Sequence, residues 1–205
     1  MNDIIEKLTI YFKEFPGIGE RQARRFVYFL LQKNPNFTNQ LIKNITELKN
    51  SVHQCPSCFL FFQGDGQDLC PNCRNSKTER DMLLVVEKDV DYESIRKSGT
   101  YKGLYFILGG LVPIVNKETP YYIRINELLK IVEERAKEDN LKEVILALSI
   151  SPEGEQTDIY LRQKLSPLEK KYNFKIVSLG RGLSTGTELE YSDGETIKNA
   201  LENRH

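Results

Sequence analysis

Ile4, Ile5, Leu8, Tyr11, Phe12 and Phe15 recur at the three-and-four spacing of one helix face. The pattern stops at Pro16-Gly17-Ile18-Gly19 and resumes with Ala23, Phe26, Val27, Leu30 and Leu31. Asn34 and Pro35 end that second run, because the residue before a proline is pushed out of the helical region. A third helix is predicted over residues 37–49. The segment therefore reads helix, short glycine hairpin, helix, helix. From Asp81 the pattern changes. Met82–Val86, Leu104–Leu108, Glu143–Leu148 and Phe174–Ser178 are short apolar runs and predict buried strands. Helical stretches fall between them at 90–98, at 125–137 (Leu128, Leu129, Ile131 and Val132 on one face) and at 154–171. Pro167 predicts a bend or break in the last. Such alternation predicts an α/β fold, a mainly parallel sheet with helices on both faces, whose functional residues gather at the carboxyl ends of the strands.

Between the two patterns lie the chain's four cysteines, in two close pairs: Cys55 with Cys58, and Cys70 with Cys73. Two residues within each pair let both thiolates point at one centre. The eleven residues between the pairs contain Gly64, Asp65, Gly66 and Asp68, enough for a turn that brings the pairs face to face. Pro56 and Pro71 follow the first cysteine of each pair and help fix a tight knuckle. This is the spacing of a tetrahedral four-thiolate zinc site. Two disulfides or two redox pairs are the competing readings. A four-ligand site has no open position, so one Zn²⁺ per chain would be structural. It would replace a core that about twenty residues cannot build.

The hairpin carries chemistry of its own. Gly17 and Gly19 flank Ile18 and allow a tight turn with close backbone approach. The amides of Gly17, Gly19 and Glu20 would open at the start of the second helix as an anion site. Arg21, Arg24 and Arg25 stand on its first turns. Phe15-Pro-Gly-Ile-Gly-Glu-Arg-Gln-Ala23 thus resembles the helix-hairpin-helix motif, which grips a nucleic-acid backbone without reading its sequence. An ordinary helical hairpin with solvated arginines is the alternative, and the carboxylate of Glu20 counts against phosphate binding.

Charge and composition change the picture modestly. Net charge is zero, with 29 basic and 29 acidic residues. Residues 1–54 hold eight Lys and Arg against five Asp and Glu, a surplus of three, so the remainder carries minus three. A basic end joined to an acidic end suggests two surfaces with different partners. Charged residues at 28% and hydrophobic ones at 40% suit a folded soluble chain. No apolar run is long enough to span a bilayer, and acids stand where a signal peptide needs basic and then apolar residues. With free thiolates, these features predict a cytoplasmic protein and no membrane partner.

Two acidic spots fall at strand ends: Glu87 after the first strand, and Glu153 with Glu155 after the third. The arrangement resembles the Toprim fold of topoisomerases and primases. There, one glutamate follows the first strand and an Asp-x-Asp pair with a nearby Glu follows the third, and together they hold Mg²⁺. Glu87 matches the first glutamate. The aspartate positions are Ser149 and Ser151, whose hydroxyls bind Mg²⁺ weakly. The resemblance implies a domain that keeps the shape and loses the catalysis. A Toprim nuclease would need the missing aspartates. A nucleotide hydrolase would need a phosphate-binding loop with a lysine, which Gly180–Gly186 lacks.

The order of parts is similar to the bacterial recombination mediator family RecR over essentially the whole chain. It gives a helix-hairpin-helix at 1–53, a four-Cys zinc module at 54–76, a Toprim-like domain at 80–178 and a helical oligomerisation tail at 179–205. Its most specific stretches are Phe15–Gly19, the four cysteines, Tyr101–Gly110, Glu143–Ala147, Glu153–Thr157 and the tail from Gly180 through Tyr191 to Glu202. The resemblance implies a non-enzymatic protein that assembles, typically as a ring of four, on DNA. It acts with RecO, and in many bacteria RecF, to load RecA on single-stranded gaps. It also implies that Gly17, Gly19, Arg21, Arg24 and Arg25 face DNA, and that Glu87, Glu153 and Glu155 engage a partner. Two places depart from the family's usual pattern. The 111–122 loop lacks the usual Asp-Gly and Gly-Pro, and the turn after the third strand reads Leu148-Ser-Ile where Thr-Asn-Pro is usual. Both lie on the Toprim-like face.

Overall fold

The computed structural model describes residues 3–64, 66–115 and 120–180, together with Gly194. The helical tail expected from 179 onward therefore lies almost entirely outside the described residues. The chain divides into two compact units, Met1–Val52 and His53–His205.

The first unit is three helices, α1 (Ile4–Lys13), α2 (Glu20–Gln32) and α3 (Pro35–Ser51). Asp3 caps α1 by accepting from the Ile5 amide. The expected apolar stripes make α1 and α2 pack together: Thr9, Ala23 and Val27 are buried, and the Phe12 ring meets Phe26 edge-on at 5.7 Å. Asn34 and Pro35 do two jobs. They stop α2, and they start α3, because the Asn34 side chain accepts from the Phe37 amide at 2.9 Å and Pro35 occupies the first turn, where a missing N–H costs nothing. No residue of α3 is buried, and Ile42, Ile45 and Leu48 remain exposed.

At the boundary, β1 (Val52–Gln54) pairs with β2 (Phe61–Gln63), and the second unit continues with a single turn, α4 (Pro71–Arg74). Next come β3 (Glu79–Val86), α5 (Asp89–Ser98), β4 (Gly103–Ile107), α6 (Ile125–Glu138), β5 (Glu143–Ala147), α7 (Pro152–Tyr172) and β6 (Lys175–Ser178). The four long-range strands form one parallel sheet in the order β4-β3-β5-β6, with Val85 in register with Phe106 on one side and Leu146 on the other. The predicted α/β class and parallel sheet are thus realised. Leu83, Leu84, Val85 and Val86 are all buried, as befits a central strand covered on both faces.

Right-handed crossovers fix the layers. The step from β3 to β4 runs one way along the sheet, and those from β4 to β5 and β5 to β6 run the other, so α5 covers one face and α6 with α7 the opposite one. Lys171 and the Tyr172 hydroxyl of α7 both reach Glu133 of α6, which joins the two helices on that face. The strand order reverses between β3 and β5, which opens a crevice at their carboxyl ends.

Pro167 does not interrupt its helix. α7 runs unbroken through all 21 residues from Pro152 to Tyr172. Proline removes one amide from the ladder, but Leu161 and Leu165 are fully buried on the same helix. Burying two leucines is worth about 3–6 kcal/mol, enough to offset a proline penalty of about 3 kcal/mol.

Candidate functional site

The four cysteines come together in the second unit. Their sulfurs all lie within 4.8 Å of one another and all four residues are buried. Sγ of Cys58 and Cys70 are 3.5 Å apart, and the Cys70 amide donates to Cys55 Sγ at 3.5 Å. Phe59 turns left-handed at φ 63° to close the first knuckle, so that its amide returns to the Cys55 carbonyl at 2.8 Å. Pro71 starts α4 and seats Cys73 one turn on, opposite the first pair. The crowding splits the thiols: sulfur hydrogen bonds from Cys58, Cys70 and Cys73 hold Cys55 well below the ordinary thiol range, and the bond to Cys55 pushes Cys58 up. A tetrahedron of thiolates about 2.3 Å from a central ion has edges of roughly 3.8 Å, so the donor set and its spacing fit a four-coordinate metal.

The cysteine module also does something for the sheet. β4 is an edge strand, and the cysteine module covers it. The Ile107 amide donates to the Cys58 carbonyl at 2.8 Å, Asn72 donates to the Gly103 carbonyl at 3.4 Å, and the Phe59 ring packs edge-on against Phe106 at 5.4 Å. Backbone groups that would otherwise invite another strand are thereby satisfied.

In the first unit the hairpin is a tight turn. The Ile18 amide donates to the Phe15 carbonyl at 3.0 Å, with Pro16 and then Gly17 at the corners. Gly17 has φ +76°, the value that position of a type II turn demands and that a side chain opposes. Gly19 is the N-cap of α2 and offers no side chain to its first amides. Those amides stay open to an acceptor, as an anion site requires. The arginines differ in use. Arg24 spends its guanidinium on Glu6 and Glu20, both at 3.4 Å, and so ties α1 to α2. Glu20 is neutralised by Arg24 and by Lys13 at 3.5 Å, which removes much of its objection to an anion. Arg21 and Arg25 are exposed, and Arg25 donates to the Gln22 side chain, three residues before it, at 3.3 Å.

The carboxyl end of the sheet holds the acidic residues. Glu87 is buried, and its carboxylate is paired with Lys88 at 2.5 Å, which raises the lysine pKa. Ser149 and Ser151 share a hydrogen bond of 3.2 Å, and Ser151 also caps α7 by accepting from the Gly154 amide at 3.1 Å. A Cβ on Gly154 would lie 1.9 Å from the Ser149 carbonyl oxygen, so only glycine lets α7 start this close to the end of β5. Glu153 and Glu155 flank that glycine on the exposed side of the first turn. A Toprim Mg²⁺ does not fit these residues. Glu87 already has a cation, and the two would-be aspartate positions are hydroxyls, Ser149 bonded to Ser151 and Ser151 engaged in capping α7.

Comparison with known proteins decides the family. A Toprim domain profile matches residues 81–178, and a RecR C-terminal profile matches 182–205. The chain is 36% identical over 200 residues to the recombination protein RecR of Dehalococcoides mccartyi, covering 98% of this chain and 93% of that one. It is 33% identical over 200 residues to that of Prochlorococcus marinus (98% and 94%) and 32% over 200 residues to that of Lactobacillus helveticus (98% and 96%). The chain belongs to the RecR family.

Within this RecR chain, sequence reasoning missed the groups that lock the parts of the second unit together. Arg135 of α6 is buried and donates to Ser57 Oγ at 2.8 Å and to Asp139 at 3.2 Å, while Arg80 donates to the Cys73 carbonyl at 3.4 Å. The Arg135–Asp139 pair is a legible four-residue helix spacing. Ser57 is 78 positions away and could not be guessed. Replacing Arg135 with Ala will strand Ser57 and lower stability by about 1–3 kcal/mol, measurable by urea denaturation. No helix of the described residues is long and apolar enough to cross a membrane.

Proposed function

We propose that this protein is a non-enzymatic recombination mediator in DNA repair, which binds DNA as an oligomeric ring and acts with RecO to load RecA on single-stranded gaps. RecF is a further partner in bacteria that use it. The observation that carries this is the hairpin: an uncapped helix start beside Arg21 and Arg25, in a chain similar to RecR proteins from end to end. The hairpin suits phosphate contact without base reading, which a loader of RecA needs on any sequence. The apolar faces left exposed on α1 and α3 support assembly with further copies, a tetramer in this reading. Zinc is the proposed metal, because four thiolates select it over the hard cations and the site has no open position for catalysis. The protein is cytoplasmic in this reading, where thiolates stay reduced. Fluorescence anisotropy on unrelated DNA sequences at several salt concentrations tests it; strong sequence preference or salt-independent binding would count against it.

The acidic end of the sheet is proposed as the RecO docking surface, with Glu153 and Glu155 exposed after β5 and Glu87 buried at the end of the adjoining strand β3. No nuclease or topoisomerase activity is expected there. Labelled DNA incubated with Mg²⁺ or Mn²⁺ will stay intact. Cleavage abolished by Glu87→Gln would refute that expectation.

A further inference from the structure

The arginine face of α2 continues beyond the hairpin. Arg21, Arg25 and Phe29 are each four residues apart, so they follow one another along one side of the helix over about 12 Å. All three are exposed. Where the helix stops, Lys33 brings its ammonium over the Phe29 ring at 4.5 Å and within 5.7 Å of the Phe37 ring. The two rings meet edge-on at 6.1 Å. The stripe thus runs from two guanidiniums to a pair of rings and ends on an ammonium.

The rings are firmly placed. Phe29 stands on the last turn of α2 and Phe37 on the first turn of α3. Between them the Lys33 amide donates to the Leu30 carbonyl at 3.1 Å, and the Phe37 amide donates to the Asn34 side chain at 2.9 Å. Even so, Phe29 is 47% and Phe37 41% exposed. Charge selects the partner. Residues 21–46 contain five cations, Arg21, Arg24, Arg25, Lys33 and Lys43, and no carboxylate. Arg24 and Lys43 are neutralised from outside that stretch, by Glu6 with Glu20 and by Glu47. Arg21, Arg25 and Lys33, the three on the stripe, pair with no carboxylate among the described residues. Phosphates supply the missing anions and bases supply flat π faces. A single strand offers both, whereas a duplex keeps its bases stacked inside. A base also displaces the lysine, because an ammonium over an exposed ring contributes less than a stacked base. The exchange frees the Phe29 face and leaves Lys33 for a phosphate.

We propose that Phe29 and Phe37, with Lys33, form a base-stacking platform that makes the N-terminal unit a single-strand binding site. The proposal rests on the DNA reading of the hairpin and adds a preference for unpaired bases. The guanidiniums hold the backbone of any nucleic acid. The rings require a strand whose bases are free, as in a gap, and stacking on them is indifferent to sequence.

The test measures anisotropy of the full-length protein on three probes of equal length: a single-stranded oligonucleotide, the same strand carrying a run of abasic sites, and its duplex. Phe29→Ala is expected to weaken single-strand binding roughly tenfold, by a factor that salt leaves unchanged, and to leave the abasic strand and the duplex near the parent's affinity. Phe29→Tyr, which keeps a π face, should stay near the parent on all three. Lys33→Gln should instead lower the single-strand salt slope by about 0.7 for every subunit engaged. Native mass and melting temperature should not move, because Phe29 is half in water. Three results overturn the platform. Phe29→Ala could bind the single strand normally while Arg21→Ala with Arg25→Ala does not, which leaves the hairpin reading standing. Phe29→Ala could lose all three probes alike at unchanged mass, which makes the ring a support for the hairpin. Its native mass could fall, which makes the rings a subunit contact. If none of these variants weakens binding of any probe, the hairpin reading falls as well.

Discussion

Replacing Cys58 with Ser is expected to abolish binding of the proposed zinc and to loosen the second unit well beyond the cysteines. Two local effects compete for the explanation. The backbone bonds at the β4 edge contribute about 1 kcal/mol each. The metal site is far larger: structural zinc in small modules is worth an apparent 10–16 kcal/mol or so near neutral pH. On the proposed zinc reading, the ion holds the module and the module covers the edge. With one ligand gone, the knuckle carrying the Cys58 carbonyl relaxes, the Ile107 amide loses its acceptor, and Phe59 lifts from Phe106. Elemental analysis should fall from one equivalent of zinc per chain to less than half. Hydrogen exchange should quicken at 52–76 and at the Ile107 amide, while the central strand β3 stays protected. A variant that loses zinc but keeps Ile107 protected would show that the module covers the edge without the ion.

What was legible beforehand follows the range of the forces involved. The periodic helices, the four parallel strands and the paired cysteines are written in local spacing, and each appears where it was expected. The strand Met82–Val86 begins three residues earlier, at Glu79, because polar residues at its start still pair with the edge strand at Gly103. The short strands β1 and β2 were not foreseen. Three residues apiece give no period, and they exist because the knuckle brings their ends together. Pro167 does not break its helix as local backbone preference predicts, since that preference loses to two buried leucines. The pairing of Glu87 with Lys88 is available in principle, as adjacent residues of opposite charge, but only the fold shows that the carboxylate is buried. Contacts such as Arg135 with Ser57 and Val112 with Thr157 depend on tertiary approach across 78 and 45 positions and leave no trace in spacing.

The hairpin predicts the second large effect. The double variant Arg21→Ala with Arg25→Ala will bind DNA much more weakly and with a flatter salt dependence. The two residues are four apart and exposed on one face of α2, beside the uncapped amides of its first turn. Each phosphate contact releases about 0.9 of a counterion from duplex DNA, or about 0.7 from a single strand. Removing two contacts per hairpin should lower the slope by about 1.4–1.8 for every subunit engaged. In an oligomer the losses compound, because each hairpin raises the effective concentration of the next. Arg24→Ala makes the contrast. Its guanidinium joins Glu6 and Glu20, so its loss leaves Glu20 paired with Lys13 alone beside the anion site and loosens α1 on α2. Exposed ion pairs of this kind are worth only about 0–1 kcal/mol, so that variant should stay folded. It should weaken DNA binding chiefly at low salt, where the Glu20 carboxylate is least screened. Anisotropy across a salt series, with native mass measured on the same samples, separates the cases. Full affinity in a correctly assembled Arg21 and Arg25 double variant would place the DNA surface elsewhere on the molecule.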